Sequence, residues 1–124
     1  MDSRQVLLEQ LSEEELARQL KRWARRYGWH GRHVRYSQGV VEGVHTTRID
    51  GHSDAHGAFD WELVHEEPGH PLLKIELKSA FGYLTKDQRA EQPRLAGCDG
   101  VRAFVWRPTD GPEIERVLRS GGLE

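Results

Sequence analysis

Cysteine is almost absent from this chain. The single Cys98 excludes a disulfide framework and a thiolate zinc cluster, and it fits a reducing compartment. Long hydrophobic runs are missing too. No stretch approaches the roughly eighteen apolar residues of a membrane span. The opening MDSRQVLLEQ has no basic start followed by an apolar core, so neither a span nor a secretion signal is expected, and the protein should be soluble and intracellular. An excess of one charge is also lacking: 18 Lys plus Arg against 20 Asp plus Glu give a formal charge of −2, which excludes a bulk polycation coating nucleic acid. No internal repeat and no low-complexity linker interrupts the chain.

What is present suits one domain spanning residues 1–124. Of the 124 residues 36% are hydrophobic, and four Trp, three Tyr and three Phe supply large core pieces. Charge is unevenly distributed. Arg18, Lys21, Arg22, Arg25 and Arg26 crowd one stretch, while Glu13 to Glu15 and Glu66 with Glu67 form acidic clusters. A local basic stripe can hold phosphates whatever the net charge, although such a stripe is also an ordinary solvated helix face.

Ser12 lies three residues ahead of Glu15, the spacing of a capping box, and Leu16, Leu20, Trp23, Ala24 and Tyr27 follow as one apolar stripe that Gly28 can end. The spacing predicts a helix over 13–27, with one short extra turn or strap at Val6 to Leu11. Residues 29–58 are rich in glycine and histidine, and one strand is expected at Arg32 to Tyr36 inside a long ordered loop able to touch substrate. The period then changes to two. Phe59, Trp61 and Leu63, then Leu73, Ile75 and Leu77, mark a hairpin around the turn Glu67-Pro-Gly-His70. Thr85-Lys-Asp-Gln88 is a second capping box, for a helix through about Glu91 that Pro93 should end or kink. Val101 to Trp106 reads as a strand stopped by Arg107-Pro108. Asp110-Gly-Pro-Glu113 opens a last helix with Ile114, Val117 and Leu118 facing inward. The order α, β, β, β, α, β, α predicts an α/β fold with a mixed central sheet flanked by helices.

Chemistry concentrates on the hairpin. Alternation puts Glu76 and Lys78 on one face, opposite Ile75 and Leu77, where the partner strand offers Asp60. Two close carboxylates repel unless a cation joins them, and paired carboxylate oxygens suit Mg²⁺, with the Leu77 carbonyl as a further ligand. A metal so placed activates water and neutralises charge on a scissile phosphate, with Lys78 orienting or helping to deprotonate the attacking water; this is the chemistry of phosphodiester hydrolysis. Taken alone, Glu-x-Lys is the pattern of any half-solvated strand. A rival site is His45, His52 and His56, whose spacing could hold zinc, although Gly51, Ser53 and Gly57 make the segment unhelical. His30, His33, His65 and His70 read as surface residues, and Trp106 as core. Arg107 either clamps a phosphate or pairs with an acid.

The segments Gly57-Ala-Phe-Asp60, Ile75-Glu-Leu-Lys78, Gly82-Tyr-Leu-Thr-Lys-Asp-Gln88 and Val105-Trp-Arg-Pro108, with Gly28-Trp29 after the first helix, resemble the ordered motifs of the VRR-NUC branch of the PD-(D/E)XK nucleases. The likeness covers residues 12 to about 119, and departs from the family pattern where Phe59 replaces the usual Pro. It implies a restriction-endonuclease-like αβββαβ core, Mg²⁺ or Mn²⁺ bound by Asp60 and Glu76, a catalytic Lys78, and Gln88 supporting the site. The family often adds a Glu from the first helix, and of the three candidates Glu13 lies on the stripe continued by Leu16 and Leu20. The implied protein is a DNA endonuclease of a bacterial or phage-infected cell's cytoplasm. Its DNA would be held by Arg18, Arg22, Arg25 or Arg26, Lys86 and Arg107, with branched DNA as a substrate and a homodimer as one assembly. Alternatives are an inert nucleic-acid-binding module on the same fold, or a zinc-dependent nuclease using the histidine loop.

Overall fold

The computed structural model describes residues 11–33, 38–41, 44–47 and 57–124, with backbone alone described for 38–41 and 44–47. Helix α1 (Glu13–Arg26) begins as its cap dictates: Ser12 Oγ accepts the Glu15 N–H at 3.1 Å. The reciprocal arm differs from a full capping box, because the Glu15 carboxylate takes the Ser12 hydroxyl at 3.1 Å in place of the backbone N–H. The helix ends at Tyr27, and Gly28 turns the chain with φ +85°, a conformation that favours glycine.

Strand β1 (Trp29–His33) starts three residues before the expected strand, whose remainder, 34–36, lies outside the described residues. Only Trp29 of the strand is buried, while Gly31 and His33 on the same face are exposed, so alternation gave no warning of it. What secures it is tertiary: Trp29 is buried and its Nε1 donates to the Leu118 carbonyl at 3.0 Å. The expected long loop also contains two paired strands, β2 (Gln38–Val41) and β3 (Val44–Thr47), in a separate antiparallel ladder running from Gln38↔Thr47 to Val41↔Val44. Val40, Val41, Val44, Thr46 and Thr47 are β-branched, which favours strand over loop. The strap at Val6 to Leu8 falls outside the described residues.

The hairpin forms as its period-two pattern requires, from β4 (Trp61–His65) and β5 (Leu72–Leu77) around a turn with Gly69 at φ +91°. Helix α2 (Lys86–Ala96) carries the capping box of Thr85 and Gln88. It does not stop at Glu91. Pro93 sits inside it and the following turn stays closed, with Gly97 N–H donating to the Pro93 carbonyl at 3.0 Å. Proline removes only its own donor, and the helix continues past that gap. Strand β6 (Val101–Trp106) follows, then a 3₁₀ turn (Pro108–Asp110) and α3 (Gly111–Arg119), whose Ile114, Val117 and Leu118 are buried as expected.

The main sheet runs β1-β4-β5-β6, with antiparallel pairs β1/β4 and β4/β5 and a parallel pair β5/β6. A parallel neighbour needs a crossover, which α2 makes. Leu16, Leu20 and Ala24 of α1 and the apolar side of α3 bury Trp29, Trp61, Leu63, Leu73, Ile75, Leu77 and Trp106 in one core. No helix among the described residues is long and apolar enough to cross a membrane.

Candidate metal centre

Register brings the first two carboxylates together. Trp61 pairs with Ile75, so Asp60, just ahead of β4, falls beside Glu76, the next residue along β5. The Asp60 N–H donates to Glu76 Oε1 at 3.3 Å, and Lys78 Nζ lies 3.5 Å from Glu76 Oε2. Phe59, where the resembled family has proline, is fully buried. Gly57 fixes the approach, since a Cβ there would overlap the Asp87 carbonyl in the first turn of α2. A side chain at 57 would push the segment carrying Asp60 away from the helix.

Among the described residues Glu76 is the one charged group that is buried, at 1% exposure. Burial pushes its carboxyl up to about 7, the neighbouring Asp60 charge adds to the rise, and Lys78 with the Asp60 N–H opposes it. Asp60 is also raised by burial, against the lowering effects of His33 and Lys78. Both carboxylates are therefore under-neutralised by the protein itself.

A third joins them from α1. Glu13, in the first helical turn, brings a carboxylate oxygen into a group with Asp60 and Glu76 whose ligand atoms all lie within 4.8 Å of one another. An octahedral cation with oxygens at about 2.1 Å spaces neighbouring ligands about 3 Å and opposite ones about 4.2 Å apart. The spread of the cluster, within 4.8 Å, is close to that scale. Three carboxylates without a soft donor suit a hard divalent ion such as Mg²⁺ or Mn²⁺, and such an ion would relieve the charge that burial now opposes. His45 enters β3, but its side chain, and all of His52 and His56, lie outside the described residues.

Beside Glu13 opens a cavity of about 410 Å³, lined also by Ala17, Arg18, Lys21, His33, Trp61 and Leu77. His33 stacks on Trp61 with ring centroids 4.6 Å apart, and Lys21 Nζ stands 5.5 Å from the Trp61 ring centroid. Lys21 and His33 were not among the site residues expected from sequence. No local pattern marked them: His33 meets Trp61 through the β1/β4 pairing, and Lys21 meets it where α1 packs on the sheet.

The other expected residues are dispersed. Gln88 is committed to its cap, with Oε1 accepting the Thr85 N–H at 2.9 Å. Among the described residues the Arg107 guanidinium pairs with no acid: its Nη1 donates to the carbonyls of Ser79 at 2.8 Å and Gly82 at 2.6 Å, holding the loop after β5. Leu77 separates Glu76 from Lys78, with its side chain in the core. Arg18 reaches the cavity, whereas Arg22, Arg25 and Arg26 are exposed further along α1. At 1.5 Å per residue Arg25 is about 18 Å along the helix from Glu13. Lys86 is exposed at the start of α2. Trp106 is core, as expected, its Nε1 donating to Glu113 Oε2 at 3.2 Å.

Among the described residues these elements define an α/β protein with an open, mixed four-stranded sheet, three helices, and a carboxylate cluster where the two central strands meet. Compared with protein-family models, curated proteins and solved structures, the chain matches none.

Proposed function

We propose that this protein is a divalent-metal-dependent nuclease of the PD-(D/E)XK type, close in pattern to the VRR-NUC branch, that hydrolyses phosphodiester bonds in DNA. The observation that carries the reading is a fully buried Glu76 held against Asp60, with Lys78 Nζ 3.5 Å from its Oε2 and Glu13 completing the group. A buried acid surrounded by other acids is unfavourable as structure alone, and its chemistry suits cation binding.

Glu13, Asp60 and Glu76 would hold the ion, Mg²⁺ or Mn²⁺. Bound there, the ion supplies Lewis-acid charge against the phosphate. Lys78, mostly buried and tied to Glu76, orients the attacking water and faces the negative charge that grows on the phosphoryl oxygens. The water oxygen bonds to phosphorus as the ester P–O bond breaks, and the leaving oxygen takes up a proton. Arg18 and Lys21, on the cavity wall beside Glu13, attract and seat the backbone phosphates of the strand.

The test is a cleavage assay on duplex, single-stranded, flapped and four-way-junction DNA with Mg²⁺ or Mn²⁺. Wild type should cut at least one substrate, only with metal, and Glu76→Gln or Lys78→Met should lower the rate at least 1,000-fold, an order taken from catalytic-group knockouts. Metal-independent cutting, or full activity in Glu76→Gln, overturns the reading. DNA binding without cutting under every condition leaves the inert module in its place.

A further inference from the structure

Large aromatic side chains normally go to the interior, as all four tryptophans of this chain do in whole or in part. Phe81 and Tyr83 do the opposite: they are 78% and 89% exposed, two residues apart, in the segment between β5 and α2. That segment is held in place. Arg107 ties the Ser79 and Gly82 carbonyls with one nitrogen, and the Gly82 N–H closes a turn onto Ser79 at 3.3 Å. Downstream the chain is fastened by the Arg89 guanidinium on the Leu84 carbonyl at 3.4 Å and by the Thr85 cap. Two solvent-facing rings are thus presented on a braced support, so little ordering entropy is left to lose when something stacks on them.

Position supplies the occupant. Gly82, between the two aromatics, rests on the lysine of the carboxylate cluster: a Cβ built there would lie 3.7 Å from Lys78 Cβ and 3.0 Å from Ser79 Oγ. Exposed Lys86 and Arg89 follow the two rings in the first turn of α2, with the acidic Asp87 between them. Flat apolar faces followed by positive charge complement a polyanion that carries flat bases, and stacking is available only where those bases are unpaired.

We propose that Phe81 and Tyr83 form a stacking site for unpaired nucleobases, gripping the strand next to the phosphate at the Glu13, Asp60 and Glu76 cluster. The assignment rests on the nuclease reading of that cluster, and it makes the two rings positioning residues that favour substrates with single-stranded character.

Binding in EDTA separates this from cutting. Wild type, titrated into a single-stranded oligonucleotide carrying 2-aminopurine and into a duplex of equal length, should quench the 2-aminopurine emission and bind the single strand. The Phe81→Ala, Tyr83→Ala double variant should weaken single-strand binding about tenfold or more and abolish quenching. Its duplex affinity should stay within about twofold and its Tm should not change, and Phe81→Trp should retain the quenching. Equal losses on both nucleic acids, unchanged single-strand affinity, or no nucleic-acid binding by wild type would overturn the proposal. So would a dimer, seen by light scattering, that the double variant dissociates without altering DNA affinity, because the rings would then serve self-association. Quenching by a wild type that cuts nothing with Mg²⁺ or Mn²⁺ would retain the stacking site and remove the nuclease; cutting without quenching would do the reverse.

Discussion

The backbone N–H of Asp60 donates to Oε1 of Glu76. One carboxylate is thereby held by the main chain of the residue that carries the other, and changing the Asp60 side chain leaves this hydrogen bond intact. Position and charge at the centre are separable.

Asp60→Asn therefore removes a raised, repelling acid without removing a support. Without metal its thermal transition should match or exceed that of wild type. Calorimetric titration should find Mg²⁺ or Mn²⁺ binding weakened at least tenfold, and cleavage should be lost. A large fall in Tm would mean that the Asp60 carboxylate is structural.

Glu76 sits at about 7 in the folded chain against 4.5 in its absence, so between those values the native state binds more protons than the unfolded one. The sign follows: metal-free stability from this group is present below about pH 4.5 and lost as pH rises through about 7. Denaturant melts from pH 5 to 8 should show that fall, and Glu76→Gln should flatten it. Mg²⁺ must displace the proton, so its affinity should rise over the same interval.

Gly57→Ala should be among the most damaging small substitutions here, since its methyl meets backbone and not a movable side chain. We expect a loss of about 2 kcal/mol or more, as for other overpacked sites, together with a loss of metal binding as Asp60 is displaced. Wild-type Tm and affinity in this variant would contradict the close approach.

Arg107→Met should release the loop after β5. Two carbonyls lose a charged donor, a change of about 1.5–3 kcal/mol. Hydrogen exchange should accelerate at Gly82, whose N–H closes the Ser79 turn. Unchanged protection there would show that the loop is held by something else.

Pro93→Ala should stabilise α2. The position is exposed and inside the helix, so alanine restores a donor without disturbing the core. The gain is reduced by the freer unfolded chain, leaving a rise in Tm as the readout.

Much of the fold is legible where its cause is local. Ser12 and Thr85 cap their helices because a hydroxyl satisfies an N–H three residues on, and Gly28 ends α1 because its backbone tolerates positive φ. The Leu73, Ile75 and Leu77 alternation is readable because side chains on a strand alternate faces, and the same rule set Glu76 opposite them. Strand β1 was misplaced and the β2–β3 pair missed for the converse reason. Gly31 and His33 carry no hydrophobic signal, and their strand exists through pairing with Leu63 and Trp61.

The amino-acid order by itself determined where the helices start, with the Ser12 and Thr85 caps, the hairpin, and the neighbouring placement of Asp60, Glu76 and Lys78, since these depend on residues close in the chain or on one turn. Only the tertiary structure decided that β6 lies parallel to β5, that Glu13 reaches the hairpin carboxylates, that His33 and Lys21 converge on Trp61, and that Arg107 holds loop carbonyls. Those contacts join residues far apart in the chain, and their geometry is set by how helices and sheet bury a common core, which no local pattern encodes.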